Sequence, residues 1–201
     1  MRPPELAPRV MVYPHGAPPP RTDPGWITLA QLPPDPGCPV VFGDGSHPTT
    51  RLCAIAVDFF CRRWQPQAVL DVGTGSGLLA RIARARGARF IAATDIDPVA
   101  LANAMAHADL DAHPLAIHFS AAAPDHWGAC FDLVVANILE APLRGLAPAL
   151  CRALRPGGVL LVSGFTRPQM PALRVLYESA GLTFAGHSDM DEWTVLTFSA
   201  P

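Results

Sequence analysis

The sequence predicts an α/β fold: a seven-stranded, mostly parallel sheet with an antiparallel last strand and helices on both faces. From residue 40 onward, short apolar runs alternate with longer segments of helical periodicity. This alternation is typical of parallel strands that are buried on both faces. Only "SDMDE", residues 188–192, separates the last two apolar runs. A link that short cannot make a crossover, so it predicts an antiparallel final pair.

Each element has its own signal in the sequence. Apolar, β-prone runs predict strands, and amphipathic stretches between them predict helices. Asp97 before Pro98 is a suitable N-cap followed by a first-turn proline. The expected strands are 68–72, 90–94, 115–119, 131–136, 159–163, 182–187 and 193–198, and the expected helices are 49–63, 78–86, 98–108, 143–154 and 170–180.

The first 39 residues differ from the rest in their proline content. They hold 12 of the 23 prolines, which fix φ and remove backbone donors. This segment should therefore form neither a long helix nor a central strand, and only a short strand near residues 26–29 is expected. We divide the chain into a proline-rich arm, 1–39, lying outside the core, and one domain, 40–201.

Composition excludes several function classes. A net charge near −2 provides no broad field for nucleic acid or an anionic membrane, so neither is an expected partner. All 15 basic residues are arginines, which excludes lysine-based catalysis. No apolar run reaches the ~20 residues needed to span a bilayer, and the first residues lack the apolar core of a signal peptide. A cytoplasmic protein is expected.

The cysteines and histidines indicate neither disulfides nor a metal site. The five cysteines are odd in number and contain no C-x-x-C pair, which predicts reduced thiols. Four histidines lie on different predicted elements without metal-ligand spacing, so no metal is expected. These residues are Cys38, Cys53, Cys61, Cys130 and Cys151, and His107, His113, His118 and His126.

A glycine-rich turn follows the first strand of the domain, in "LDVGTGSGLL". Gly73, Gly75 and Gly77 allow a tight turn and close approach of a ligand to the free N–H groups of the next helix. Dinucleotide folds prefer G-x-G-x-x-G, whereas the spacing here is G-x-G-x-G. Asp71 beside the turn suits an amino group better than a pyrophosphate. A plain tight turn is the alternative interpretation.

The next strand leads into Asp95, Ile96 and Asp97, in "AATDIDP". Asp95 lies 22 residues after Gly73 and can accept hydrogen bonds from both hydroxyls of a ribose. Ile96 would place an apolar side chain against an adenine face. Asp97 is better explained as the helix cap than as a ligand-binding residue.

These acids and the glycine turn together resemble the class I S-adenosylmethionine-dependent methyltransferases, which have a Rossmann-like fold. The resemblance implies that Asp71 lies near the methionine moiety and that Asp95 holds the ribose. After the fourth strand comes "VVANILEAPL", where enzymes that methylate nitrogen often carry an Asn-Pro-Pro-Tyr-like motif. The amide of Asn137 could accept a hydrogen bond from an amine and aim its lone pair at the methyl group. Alternatively, Asn137 only ends a strand.

The stretch "FGDGSHPTTRLC" makes the resemblance more specific. Together with the glycine turn, "DIDP" and "NIL", it is similar to the PrmA-type family, lysine methyltransferases of a large-subunit ribosomal protein. The match runs over about residues 40–198. It implies a cofactor site of Thr50, Gly73, Asp95 and Asn137 that binds S-adenosylmethionine and releases S-adenosylhomocysteine. Thr50 is also expected to cap the helix that begins at its own position.

Departures from the family pattern leave other functions open. Asp44 and Ser46 stand where the family usually has threonines, and Glu140 replaces a small residue. His47 is interpreted as structural, with a catalytic base as the alternative. The proline-rich arm is shorter than the family's N-terminal domain for recognising its protein substrate. A methyltransferase for a small amine, a non-catalytic module that binds the cofactor, and an NAD-dependent oxidoreductase are therefore the alternatives to a protein N-methyltransferase.

Overall fold

The computed structural model describes residues 5–7, 9–20, 22–33, 41–111 and 113–201. Within these residues, ten strands form two sheets. The strands are β1 (Glu5–Ala7), β2 (Val10–Pro14), β3 (Ile27–Gln31), β4 (Ala68–Val72), β5 (Phe90–Thr94), β6 (His118–Ser120), β7 (Phe131–Asn137), β8 (Leu154–Thr166), β9 (Thr183–Met190) and β10 (Trp193–Ser199). The helices are α1 (Pro48–Trp64), α2 (Leu78–Ala85), α3 (Pro98–Asp109), α4 (Glu140–Ala153) and α5 (Met170–Ser179).

The large sheet has the predicted architecture. Its seven strands follow the order β6-β5-β4-β7-β8-β10-β9. Strand β10 is antiparallel to both of its neighbours, while the other neighbouring pairs are parallel. Met190 pairs directly with Trp193, so β9 and β10 form a tight hairpin across Asp191 and Glu192. The prediction of six parallel strands and an antiparallel last strand is confirmed.

Alternating side chains of the central strands build a core on each face of this sheet. Val69 and Leu133 pack in one cluster with α1 and α2, whereas Leu70 and Val134 pack in a second cluster with α4 and α5. This is the period-2 alternation of a strand covered on both faces. Strand β4 lies between β5 and β7, where the strand order reverses. In open α/β sheets, ligands bind at the carboxyl ends of the strands at such a reversal.

The proline-rich segment does not lie outside the core, and that expectation was wrong. Strands β1, β2 and β3 form a small sheet in which β2 is central, antiparallel to β1 and parallel to β3. Leu6, Val10 and Leu29 are buried in the same cluster as α1 and α2. The one proline in β2, Pro14, is its last residue, where a missing N–H disturbs the ladder least.

Two side chains, one on α2 and one on α3, form hydrogen bonds with backbone groups at the outer edge of β3. The Arg81 guanidinium donates to Ala30 O at 2.6 Å, and His107 Nε2 accepts from Leu32 N at 3.0 Å. Ala30 lies in β3 and Leu32 directly follows its last residue, so the two backbone groups face the same side, where a further strand would pair with them. The apolar residues and these two hydrogen bonds therefore integrate the segment into the domain. The proposed boundary at residues 39 and 40 lies outside the described residues.

The other predictions concern thiols, metals and membranes. Cys53, Cys61, Cys130 and Cys151 are free thiols, and Cys38 lies outside the described residues. In the part of the chain that the structure describes, no three His, Cys, Asp or Glu side chains are grouped as metal ligands. Across the same residues, no helix has the length and hydropathy needed to cross a membrane.

Candidate active site

Three loops meet at the carboxyl ends of the central strands. They are residues 41–47, which precede α1, the glycine turn 73–77, and the turn 137–139 between β7 and α4. Ser76 joins the first two, since its backbone N–H donates to Phe42 O at 3.0 Å and its hydroxyl donates to Gly43 O at 2.6 Å. Ile138 N donates to Ser163 O of β8 at 3.1 Å. Each loop is thus held by backbone hydrogen bonds.

Close contacts within the protein require two glycines of the turn. A Cβ atom on Gly75 would overlap the carbonyl oxygen of Phe42, and one on Gly73 would overlap the side chain of Ile138. Both residues also have positive φ, 53° and 68°, which L-residues with a side chain rarely adopt. Gly77 precedes α2 as its N-cap and lies against Ala104 of α3. The glycines therefore let the neighbouring loops close around the site, in addition to their predicted role toward a ligand.

Asp71 is a buried carboxylate at the end of β4. Its Oδ2 accepts hydrogen bonds from the Thr74 hydroxyl at 2.6 Å and from Ala80 N at 3.2 Å. Its Oδ1 is buried without a hydrogen-bond partner. Burial raises the pKa of this carboxyl to about 6, although both hydrogen bonds counteract that shift. A buried oxygen left in this state is suited to a cationic or N–H donor from a ligand.

Asp95 lies at the end of β5, beside the glycine turn. Its Oδ2 accepts from Gly75 N at 3.0 Å, and its Oδ1 accepts from Asp97 N at 3.0 Å. Each carboxylate oxygen can accept more than one hydrogen bond, so both keep capacity for a ligand. Asp97 caps α3 through Val99 N at 2.8 Å, which confirms its predicted role. Ile96 is 96% exposed, so its apolar side chain is free to contact a ligand.

The start of α1 differs from the prediction. His47, not Thr50, is the N-cap, and its Nδ1 accepts from Thr49 N at 3.3 Å. The helix begins at Pro48, so Thr50 lies within the first turn, fully buried. Proline is favoured at the first helical position, which sets the helix start before Thr50. The Thr50 hydroxyl therefore does not cap the helix and faces Asn137 instead.

Asn137 is the last residue of β7 and is 8% exposed. Its Nδ2 donates to Thr50 Oγ1 at 3.4 Å, and its Oδ1 is buried without a hydrogen-bond partner. Asn137 does end a strand, as the alternative interpretation held. Its unpaired Oδ1 is also available to accept a hydrogen bond from a ligand.

Sequence reasoning missed two residues that shape this region. The ring of Trp193 lies 4.7 Å from that of His47, which in turn lies 5.1 Å from Phe42. Trp193 begins β10, so the last hairpin reaches the loop that precedes α1. Ser76, which fastens that loop, stands between two glycines of the turn. A hydroxyl at that point of a glycine turn was an available signal, whereas nothing local connects Trp193 with His47.

The whole chain matches one protein family. The sequence pattern described as "Ribosomal protein L11 methyltransferase (PrmA)" matches residues 2–201. The chain belongs to this family. The match includes the first residues, where β1, β2 and β3 lie, as well as the three loops of the site.

Relatives within the L11 methyltransferase family span more sequence than this chain. The ribosomal protein L11 methyltransferase of Dechloromonas aromatica is 44% identical over 144 residues, 71% of this chain and 46% of the relative. That of Chromohalobacter salexigens is 36% identical over 208 residues, 98% of this chain and 63% of the relative. The chain thus spans about half the length of the curated relatives it matches.

A solved structure shares the fold over almost its whole length. The ribosomal protein L11 methylase of Lactobacillus delbrueckii subsp. bulgaricus superposes with a TM-score of 0.83 at 28% identity, covering 98% of this chain and 97% of that one. The small N-terminal sheet is included in that coverage. In the present chain, itself a member of the L11 methyltransferase family, the predicted site residues lie at three neighbouring strand ends and on α1.

Proposed function

We propose that this chain transfers a methyl group from S-adenosylmethionine to a nitrogen of a protein, with a lysine amine of ribosomal protein L11 as the acceptor. The proposal rests on the family to which the chain belongs and on two unpartnered oxygens in the site. These oxygens, Asp71 Oδ1 and Asn137 Oδ1, are the observation that carries it.

Both oxygens fit the donors that such a reaction brings. A buried acceptor without a hydrogen bond costs about 1–3 kcal/mol, more when it is charged. The Asp71 carboxylate suits the cationic amino group of the cofactor's methionine moiety, because charge-assisted hydrogen bonds are the stronger ones. The Asn137 amide oxygen suits an N–H of the attacking amine. The end of β4 would thus bind the cofactor, and the end of β7 would bind the acceptor.

The rest of the cofactor site follows from the neighbouring residues. Asp95 would hold the ribose hydroxyls, Ile96 would cover the adenine, and the Thr50 hydroxyl would contact the methionine end. The turn of Gly73, Gly75 and Gly77 would let the backbone approach the ligand. When bound, S-adenosylmethionine supplies a methyl group already activated by its positively charged sulfur, and S-adenosylhomocysteine is the product.

The protein's own contribution is to orient the acceptor and exclude water. Asn137 Oδ1 would accept one N–H of a neutral amine, and this leaves the lone pair of the nitrogen free to be aimed. Thr50 Oγ1 accepts from Asn137 Nδ2 and so fixes which end of the amide faces the acceptor. His47 Nδ1 is engaged by Thr49, which favours a structural role over that of a base.

Ribosomal protein L11 is the proposed acceptor because the relatives are named for it. A ribosomal substrate would place the reaction in the cytoplasm. Methylation of a small amine is the alternative, and the two are distinguished by which molecule receives the methyl group. A module that binds the cofactor without catalysis is less well supported, since it would not need an oriented amide at Asn137.

The decisive experiment combines binding and transfer. Calorimetry with S-adenosylmethionine, S-adenosylhomocysteine and NAD should give binding of the first two and none of the third. S-adenosylmethionine with a radiolabelled methyl group is then incubated with the chain and purified ribosomal protein L11, or with cell lysate separated into protein and small molecules. Label on L11 supports the proposal. Label confined to small molecules would favour the alternative, and cofactor binding with no label anywhere would refute methyl transfer.

A further inference from the structure

Glu140, the first residue of α4, makes two polar contacts directly after the turn 137–139. Its Oε1 is ion-paired with Arg144 at 2.6 Å, one helical turn further on. Its Oε2 accepts a hydrogen bond from Gln169 Nε2. The carboxylate is therefore occupied on both oxygens by groups on α4 and beyond β8, which argues against a role as proton acceptor.

Gln169 continues this link to the end of β8. Its Oε1 accepts from Thr166 N at 2.7 Å and from the Thr166 hydroxyl at 3.0 Å. Thr166 in turn pairs with Trp193 in the ladder between β8 and β10. Hydrogen bonds thus run from Glu140, which directly follows the turn 137–139, through Gln169 to Thr166, the ladder partner of Trp193.

The turn 137–139 has few other side-chain hydrogen bonds to hold it. Leu139, which precedes α4 as its N-cap, provides no side-chain cap and is 71% exposed. Ile138 is held by its backbone N–H on Ser163 and by a close backbone approach to Gly164. Glu140 therefore supplies a side-chain anchor immediately after the turn, at the helix end where a negative charge is also favourable.

We propose that Glu140 and Gln169 are a positioning pair that fixes the turn 137–139, and with it the Asn137 amide, relative to Trp193. In this role both residues act through the turn and not by contact with the reacting atoms. Their effect on catalysis rests on the proposed function, but their effect on the conformation of the turn does not. A displaced Asn137 would misalign the acceptor, and a 1 Å error in such an arrangement can cost about a hundredfold in rate.

The conformational part is tested without any substrate, by NMR on the 15N-labelled chain. The side-chain amide signal of Asn137 is assigned with Asn137→Ala and the indole signal of Trp193 with Trp193→Phe. We expect Gln169→Ala and Glu140→Ala to shift or broaden both signals, while the melting temperature shows that each variant is folded. Unchanged positions of both signals in folded Gln169→Ala would overturn the proposal.

Two further variants separate positioning from charge. Glu140→Gln keeps an oxygen that accepts from Gln169, so it should restore both signals to their wild-type positions. Arg144→Ala removes the ion pair but not the link to β8, and it should leave both signals in place. Failure of Glu140→Gln to restore the signals, or an equal change in Arg144→Ala, would assign the effect to the carboxylate charge and refute the positioning pair.

Activity provides a second measurement once methyl transfer to L11 is observed. Gln169→Ala and Glu140→Ala should each lower kcat about threefold to thirtyfold, and the double variant should be no slower than either, because they act as one unit. Affinity for S-adenosylhomocysteine should stay within about twofold. Additive losses would contradict a single link. Absence of methyl transfer in the wild type would refute the proposed function and leave the NMR result to decide this proposal.

Discussion

Asn137 and Thr50, 87 residues apart in the chain, are both buried and share a hydrogen bond of 3.4 Å from Asn137 Nδ2 to Thr50 Oγ1. This contact orients the amide so that its Oδ1 remains unpaired. The end of β7 and the first turn of α1 thus form one polar unit. Substitutions in this unit can distinguish a catalytic role of Asn137 from a role in strand termination alone.

Replacement of Asn137 by alanine should mainly affect turnover. If the amide orients the attacking amine, kcat should fall by roughly tenfold to a thousandfold, as for other lost contacts in a transition state. Cofactor affinity should fall less, since Asp71 and Asp95 remain. Steady-state kinetics with the acceptor found by radiolabelling, together with calorimetry, would measure both quantities.

Asn103→Ala is the matched control for Asn137→Ala. Asn103 lies on α3, and its Oδ1 is also buried without a hydrogen-bond partner. This variant should keep turnover near normal, because it removes an unpaired amide outside the turn 137–139. Normal turnover in Asn137→Ala as well would refute the role assigned to that residue.

Asp95→Ala should weaken cofactor binding without unfolding the protein. Each lost hydrogen bond to the charged carboxylate contributes about 1.5–3 kcal/mol at most, so affinity for S-adenosylhomocysteine should fall roughly tenfold to several-hundredfold. Part of this loss would come through Gly75 N, which Asp95 also holds. Calorimetry gives the affinity, and circular dichroism reports the fold.

Asp97→Asn is the corresponding control, since asparagine caps a helix as well as aspartate does. It removes a neighbouring negative charge but keeps the cap on Val99 N. Its affinity should stay near that of the wild type. An unchanged dissociation constant in folded Asp95→Ala would show that Asp95 does not bind the ribose.

The ionisation of Asp71 should make cofactor binding pH-dependent. Burial raises the pKa of this carboxyl to about 6 in the free protein. Because the ionised form binds a cationic amino group, affinity for S-adenosylhomocysteine should rise about tenfold from pH 5 to pH 7. In Asp71→Asn this rise should be absent. Calorimetry at several pH values tests it, and an equal rise in both proteins would exclude Asp71 as the cause.

The same shift affects the stability of the ligand-free protein in the opposite direction. A folded-state pKa above the ordinary value means that the folded state binds the proton more tightly than the unfolded state. Asp71 therefore contributes stability at low pH that is lost as the pH rises through about 6. The melting temperature of Asp71→Asn minus that of the wild type should therefore be larger at pH 7 than at pH 5.

His107 should give the reverse dependence. Its pKa is lowered, first by burial and then by the neighbouring Arg81 guanidinium, while Asn103 O and Asp111 act against that shift. The folded state thus favours the neutral ring, which accepts from Leu32 N. Its contribution to stability should be present above about pH 6.5 and lost as the pH falls through the lowered pKa.

His107→Gln tests this, because glutamine can still accept a hydrogen bond but does not ionise in this range. The melting temperature of the wild type minus that of the variant should be smaller at pH 5.5 than at pH 7.5. A difference that does not vary with pH would exclude protonation of His107 as a factor in holding β3.

Local patterns were sufficient for the elements around the glycine turn. Strands β4 and β5 have the predicted bounds, because each is a mainly apolar run closed by a turn or a cap. The helix cap at Asp97 was also predicted. The start of α1 was not, since His47, Pro48 and Thr50 are all plausible near a helix start and only the backbone conformation decides among them.

The sequence by itself determined the sheet, the glycine turn and the placement of Asp71, Asp95 and Asn137 at or beside strand ends. These depend on periodicity and spacing over short distances. The tertiary structure alone decided that the proline-rich segment joins the core, that Thr50 meets Asn137, and that Glu140 is linked to Gln169. Each of these depends on contacts between residues far apart in sequence. For example, Arg81 and His107 form hydrogen bonds with backbone groups at the outer edge of β3. Proline content shows which backbone N–H donors are absent from the segment. It does not show which distant side chains will form hydrogen bonds with the backbone groups that remain.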